Sequence, residues 1–423
     1  MAREYKDSGI EWIGEIPKEW NLVRAKSLFA QRNSKGNESA VLLSATQKQG
    51  MMPQSLLEGV VQVNNNTDLQ TFKTVHKNDY VISLRSFQGG FEMSNYEGVC
   101  SPAYQVFYNR IPINYSYFWF LFKSYGFVDK INSLTVGIRE GKNIQYKDFA
   151  NMLLAVPPLP EQEKIADYLD KVCGEADEMT ALQEKMIEEL KAYKQSIITE
   201  VVTKGLNPKA PMKNSGIDWI GEIPEHWKTT KIKKIATTNS GSTPRKISNS
   251  EGSNIVWIRT TDINDNIVYD SSLHLTNEEF SSASCPMLKS GTCVVAMYGG
   301  GGTIGKSGIL GATATINQAL CSMEVNDSYF AQYLFCVLKS VRYYWMKYAV
   351  GTRKDPNINQ EIVRNLNIPF PLIEEQRQIA SFLDTKCSEI DALIAIKQQK
   401  IAELKEYKKS VIYEYVTGKK EVV

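Results

Sequence analysis

The chain has 423 residues, 43% of them apolar and 23% charged, which gives room for two or three cored domains and excludes a low-complexity or fibrous protein. A net charge of +2 neither demands nor excludes a polyanionic partner. The charge is unevenly placed, with 6 Lys/Arg against 11 Asp/Glu between Glu161 and Gly205 and 9 against 8 between Glu374 and Lys420, so the basic excess lies elsewhere.

The seven cysteines (Cys100, Cys173, Cys285, Cys293, Cys321, Cys336 and Cys387) form an odd set without Cys-x-x-Cys spacing. Residues Met1 to Asp7 carry no apolar signal region, and together these features read as a reducing cytoplasm. The longest strongly apolar stretch, Tyr117 to Phe122, is far too short to span a bilayer, so no membrane role is expected.

In chain order, the first feature is Ser8–Gly9–Ile10–Glu11–Trp12–Ile13–Gly14–Glu15–Ile16–Pro17–Lys18–Glu19–Trp20. It returns at a constant offset of 207 as Ser215 to Trp227. The paired tryptophans read as packed strand residues ahead of a proline-bounded turn. From Asn21 to Val156, β-branched and aromatic runs alternate with polar turns, as in Ala40–Leu43, Asp79–Leu84 and Ala103–Tyr108. The segment from Lys228 to Ile368 offers Asn254–Ile258, Thr292–Met297 and Ala319–Val325. Each segment then has an aromatic helical stretch, Tyr115 to Lys130 and Tyr329 to Tyr348. Both are expected to be α+β with a β-rich core.

Each segment leaves through prolines, Val156–Pro157–Pro158–Leu159–Pro160 or Ile368–Pro369–Phe370–Pro371–Leu372, a turn that can open a helix. Glu161–Gln162–Glu163–Lys164–Ile165–Ala166 follows the first and Glu375–Gln376–Arg377–Gln378–Ile379–Ala380 the second, now at an offset of 214. Apolar residues at Ile165, Leu169, Val172, Ala176, Met179, Met186, Leu190, Tyr193, Ile197 and Val201 predict a long helix with a heptad-like seam. The second copy matches it with Ile379, Leu383, Ile390, Leu393, Leu404, Tyr407, Val411 and Tyr415. Identities off the seam, such as Asp170/Asp384, Cys173/Cys387 and Asp177/Asp391, identify an internal duplication. The expected division is a domain over 1–159, a long helix over 160–207, a second domain over 208–370 and a second long helix over 371–423. Antiparallel pairing of the helices would bring the end of the second beside the first opening motif.

Gly300–Gly301–Gly302–Thr303–Ile304–Gly305–Lys306–Ser307 fits the phosphate-loop pattern, so a P-loop ATPase with coiled-coil arms is an alternative reading. That reading requires a helix after Lys306–Ser307, whereas Gly308 to Ile316 reads as turn and strand. A glycine loop able to approach nucleic-acid phosphate or a base edge fits better. Val156–Pro157–Pro158–Leu159 lacks the amide and aromatic residues of an amino-methyltransferase turn. His76, His226 and His274 have no partners at ligand spacing, so neither a metal site nor a catalytic residue is expected.

The polar and basic residues that remain gather in loops after strands. In the first domain they are Gln47, Lys48, Arg85, Gln88, Arg139 and Lys142. In the second they are Thr243, Arg245, Arg259, Thr261, Tyr298, Thr303, Lys306, Arg353 and Lys354, with Lys246 and Ser242 beside them. Such side chains can read base edges or clamp phosphates.

The order of opening motif, variable domain, Gly-[Thr/Ile]-Arg, proline turn, Glu-Gln-x-x-Ile-Ala and long helix, given twice, resembles the specificity subunit of type I restriction-modification enzymes over essentially the whole chain. The resemblance implies two target-recognition domains that each read one half of a split site in double-stranded DNA, and two antiparallel helices that serve as spacer. It also implies docking of methyltransferase subunits, two in number, and of restriction or motor subunits. Catalysis would then belong to the partners, with S-adenosylmethionine, ATP and Mg bound there and no cofactor in this chain. A ~40-residue helix is about 60 Å long, suited to half-sites about one DNA turn, ~34 Å, apart. A purely structural coiled-coil adaptor stays open beside this reading, and the two glycine loops, Ser86–Gly90 and Tyr298–Lys306, are of doubtful equivalence.

Overall fold

The computed structural model describes residues 3–36, 40–46, 49–57, 69–83, 90–134, 144–245, 247–248, 252–299, 302–349 and 357–422. The fold is α+β and divides into two compact units, Met1–Glu184 with Gln398–Val423, and Lys185–Lys397.

In the first unit the opening motif is a hairpin in which Tyr5–Asp7 pairs with Glu15–Pro17. Gly9 and Gly14 sit at φ 65° and 70°, and their copies Gly216 and Gly221 at 73° and 68°. That left-handed backbone explains why both copies of the motif hold glycine there. The core sheet has four antiparallel strands, β1 (Phe29–Arg32), β2 (Tyr80–Ile82), β3 (Phe91–Met93) and β4 (Gln105–Asn109), in the order β1-β4-β2-β3. Phe29, Tyr80, Phe91 and Phe107 leave one face of it and meet Phe118 and Phe122 of helix α1 (Tyr115–Lys123), Phe127 and Phe149. Truncating one such buried ring costs about 3–5 kcal/mol. The aromatic stretch is two helices rather than one, because Ser124 takes an extended backbone between α1 and Tyr125–Ser133.

The first long helix, α2, spans Leu159–Lys204. Its first turns place Ile165, Ala166, Leu169 and Cys173 in the core of the first unit. The second unit takes Ile198, Val201 and Val202 from the far end of the same helix. The sheet of that unit uses β5 (Ala236–Ser240), β7 (Asn266–Val268), β8 (Cys293–Ala296), β9 (Ser307–Leu310) and β11 (Leu320–Val325) in the order β5-β11-β8-β9-β7. A smaller sheet pairs β6 (Ile255–Ile258) in parallel with β10 (Thr315–Ile316). Helix α3 (Ala331–Val341) covers the core sheet, α4 (Gln360–Asn365) follows, and the last helix, α5, spans Ile373–Val416. Four strands of the second sheet repeat the order of the first. The segment between β2 and β3 and the segment between β8 and β9 therefore join corresponding strands, which relates the two glycine loops by connectivity.

The repeated Glu-Gln turn and the opening motif clasp each other in each unit. Trp20 Nε1 donates to Glu161 Oε2 at 3.0 Å, and Trp227 Nε1 to Glu375 Oε2 at 2.9 Å. Both indoles are fully buried. Gln162 Oε1 accepts from the Asn114 amide at 3.0 Å while its Nε2 donates to the Pro157 carbonyl at 2.9 Å. Gln376 does the same with the Phe330 amide at 2.7 Å and the Pro371 carbonyl at 3.0 Å. Asn114 and Phe330 are the residues from which α1 and α3 start. The motif thus satisfies buried donors that would otherwise be costly, and it joins three elements at one point.

Helix ends complete the clasp. In the first unit the end of α5 arrives beside the opening motif, with Tyr117 Oη donating to the Val416 carbonyl at 3.1 Å and Tyr413 Oη to the Trp12 carbonyl at 2.7 Å. In the second unit Tyr333 Oη donates to the Val202 carbonyl at 3.0 Å. Gly418 has φ 73°, and a Cβ there would stand 2.5 Å from Pro17 Cδ, so only glycine closes this turn.

The helix seam differs from the heptad expectation. Met179, Tyr193, Leu393 and Tyr407 are 52%, 58%, 48% and 49% exposed. The inward stripe runs instead through Ile165, Leu169, Cys173, Ala176, Ile187, Ile198 and Val202, with half-buried Thr180, Gln183 and Lys194 on the same line. With the step from Ile187 to Lys194 counted as two turns, the stripe advances about 3.7 residues per turn, longer than the 3.5 of a heptad, so it drifts off a heptad read from apolar residues alone. The interrupting polar residues hid the drift.

Candidate nucleic-acid interface

Among the candidate residues, Gln47, Lys48, Arg85, Gln88, Arg139, Lys142, Arg353 and Lys354 lie outside the described residues, as does Lys246. Those described all belong to the second unit. There the two parallel strands β6 and β10 end side by side, because Trp257 is in register with Thr315 and Ile258 with Ile316. The residues that follow, Arg259–Thr261 and Asn317–Gln318, therefore emerge at one edge.

The segment after β5 is stitched to that edge. The Ser242 amide donates to the Ile316 carbonyl at 3.1 Å, Trp257 Nε1 to the Ser242 carbonyl at 3.2 Å, and the Asn317 amide to the Ile258 carbonyl at 3.0 Å. The Thr243 hydroxyl donates to Gln318 Oε1. The glycine loop joins from the other side, since the Met297 amide donates to the Ala319 carbonyl at 2.8 Å and the Ile358 amide to the Met297 carbonyl at 2.9 Å. Three of the predicted loops, those carrying Thr243 and Arg245, Arg259 and Thr261, and Tyr298, thus converge on the turn Asn317–Ala319.

Their side chains are held differently. Arg259 is braced: its Nη2 donates to Ser272 Oγ at 3.0 Å, its Nε lies 3.6 Å from Asp262 Oδ2, and its amide donates to the same carboxylate at 2.8 Å. Thr243, Arg245 and Thr261 are exposed, and Tyr298, Thr303 and Lys306 are half-buried. Burial raises the Tyr298 phenol above its ordinary pKa, so it is a neutral donor and acceptor. The Lys306 ammonium has no side-chain partner among the described residues.

The glycine loop is no phosphate loop. Ser307 opens strand β9 rather than a helix, and its hydroxyl and amide both donate to Asp265 Oδ1, at 2.8 and 3.0 Å. Asp265 Oδ2 in turn accepts from Arg342 Nη1. A nucleotide would need the first turn of a helix and a free hydroxyl at this point, and the fold supplies neither, which overturns the ATPase alternative. Gly305, at φ 78°, lies where a Cβ would stand 2.5 Å from Trp345 Cδ1, so the loop is seated on the end of the α3 region.

The sequence reading missed Asn317, Gln318 and Gln360. Gln360 Nε2 donates to the Thr238 carbonyl at 2.8 Å, and the Ser240 hydroxyl donates to Gln360 Oε1 at 3.2 Å, at the end of β5. The available signal was an Asn-Gln pair directly after the β-branched residues Thr315 and Ile316. Among the histidines, His226 faces Glu375 at 3.1 Å and His274 faces Asp270 at 2.8 Å. Among the described residues no group of three or more His, Cys, Asp or Glu side chains could hold a metal ion, and no helix is long and apolar enough to cross a membrane.

Comparison with known proteins gives these features a context. The chain is 25% identical over 422 residues to the type I restriction enzyme MjaVIII specificity subunit of Methanocaldococcus jannaschii, covering 96% of this chain and 93% of that protein. It is 25% identical to the EcoBI specificity subunit of Escherichia coli over 60% of this chain and 55% of that one. Its fold is similar to a chain in a structure of a type I R-M system described for complex assembly and conformational transition, with a TM-score of 0.70 at 16% identity over 95% of this chain and 98% of that one. The HsdS subunit from Thermoanaerobacter tengcongensis matches with a TM-score of 0.53 at 17% identity over the same shares. The type I restriction modification DNA specificity domain matches twice, over residues 17–192 and 224–406, once for each copy of the duplication, and the chain belongs to that family.

Proposed function

We propose that this chain is the non-catalytic DNA sequence-recognition subunit of a type I restriction-modification complex. In this reading it recognises a bipartite site in double-stranded DNA and directs adenine methylation and cleavage by partner subunits. The observation that carries the proposal is the double match of the specificity domain, once over each half of the duplicated chain. The globular parts, 1–159 and 208–370, act as the target-recognition domains, and the helices of 160–207 and 371–423 as spacer and docking surface.

Thr243, Arg245, Arg259, Thr261, Tyr298, Thr303, Lys306, Arg353 and Lys354 serve the second half-site. Gln47, Lys48, Arg85, Gln88, Arg139 and Lys142 serve the first half-site. Exposed apolar residues support docking of two methyltransferase subunits, because they recur at equivalent helix positions. Met179, Leu182 and Tyr407 are exposed in the first unit, and their counterparts Leu393, Ile396 and Tyr193 in the second. S-adenosylmethionine, ATP and Mg reside on those partners and on the restriction subunits, and the complex acts in the cytoplasm. The test is methylome sequencing of cells with and without this chain. A bipartite adenine motif that vanishes with the chain is expected, and an unchanged methylome would overturn the proposal.

A further inference from the structure

We infer that Gln318 is a specificity-determining residue of the second half-site, reading the major-groove edge of an adenine with its carboxamide. The inference rests on the DNA-recognition reading and adds to it a residue that no candidate set contained.

Three observations converge on this side chain. It is exposed at the tip of the turn Asn317–Ala319, the point to which the loops after β5, β6 and β8 are tied. The turn is firm: the Leu320 amide donates to the Asn317 carbonyl at 3.1 Å and the Ala319 amide to Asn317 Oδ1 at 3.2 Å. The carboxamide is also tethered, because its Oε1 meets the Thr243 hydroxyl. A carbonyl oxygen has two acceptor sites, so one remains, beside two N–H donors with no partner among the described residues. An acceptor next to a donor on one planar group is the complement of adenine N6–H and N7. Arg245 is exposed two residues beyond Thr243, placing a cation next to the same edge.

The experiment is selection from a randomised duplex library by the full chain, co-expressed with the methyltransferase subunit of its system, followed by sequencing of the bound fraction. The unaltered chain should enrich a bipartite motif with an A·T pair in one half that Gln318→Ala flattens by roughly tenfold or more, the other half being unchanged. Gln318→Glu should turn the preference at that position towards cytosine, whose N4 amino group donates. The inference is overturned if Gln318→Ala leaves every position intact, if it flattens a position that is not A·T, or if it erases the whole half-site, which would mark a folding role. An unaltered chain that enriches no bipartite motif removes the DNA-recognition reading itself, and this inference with it.

Discussion

At the scale of single residues, the repeated Glu-Gln pair works by geometry rather than by chemistry. Glu161 accepts from the Trp20 indole and from Arg3, whose Nη2 lies 2.6 Å away, in a site where its own side chain is 22% exposed. Removing the carboxylate strands a buried indole N–H, a loss of about 1–3 kcal/mol. Glu161→Ala should therefore lower stability by that amount in urea titration, and Glu161→Gln, which keeps an acceptor at the same place, should recover about half of it. Equal losses in the two variants would mean that charge, not hydrogen bonding, holds the clasp. The identity of the motif residues was plain from their repetition. Their partners were not, because Trp20 and Glu161 are 141 positions apart and only the folded chain brings them together.

At the scale of elements, the β-branched and aromatic runs located Tyr80–Ile82, Gln105–Asn109, Ile255–Ile258, Cys293–Ala296 and Leu320–Val325, whereas Phe29–Arg32, Phe91–Met93, Ala236–Ser240, Asn266–Val268 and Ser307–Leu310 lie outside those runs. The order β1-β4-β2-β3 was not legible, since alternation says which residues pair inward but not with whom. One consequence is the ion pair between Glu92 of β3 and Lys123 of α1, at 2.5 Å with only 2% and 17% of the side chains exposed. Burial pushes the Glu92 carboxyl up to about 7, against the opposing pull of Lys123, whose own pKa burial lowers. A carboxyl raised in the folded state favours folding while it holds its proton, so the contribution is complete below its unfolded value near 4.5 and is lost as pH rises to about 7. The shift corresponds to roughly 3 kcal/mol. Stability measured from pH 4.5 to 7 should therefore fall more steeply in the unaltered chain than in Glu92→Gln, with the slope rather than the absolute stability as the readout. Parallel curves would show that Glu92 is ionised throughout.

At the scale of the whole molecule, the duplication governs how the helices pair. Asp177 meets Lys408 at 2.5 Å in the first unit and Lys194 meets Asp391 at 2.7 Å in the second. An offset of 214 turns one pair into the other with the helices exchanged, so each unit pairs its two helices through the same duplicated positions. If the helices set the spacing between half-sites, lengthening one alone would misalign one of these pairs. Seven residues inserted after Met179 together with seven after Lys405 keep both pairs and add about 10 Å of helix. The altered chain should methylate the same two half-sites with a longer spacer, checked by methylome sequencing, and an unchanged spacer would remove the helices from that role.

The sequence by itself determined the duplication, the α+β class, the two long helices and the family resemblance, because repeats, periodicity and turn chemistry are local or self-similar and survive in one dimension. Tertiary structure alone decided three things. It set the true inward stripe of the helices, where polar Thr180, Gln183 and Lys194 interrupt the apolar pattern. It decided the fate of the glycine loop, whose Ser307 enters a strand and binds Asp265. It also brought Thr243, Arg259, Tyr298 and Gln318 to one edge, a convergence made by parallel strand ends and backbone hydrogen bonds between segments far apart in the chain.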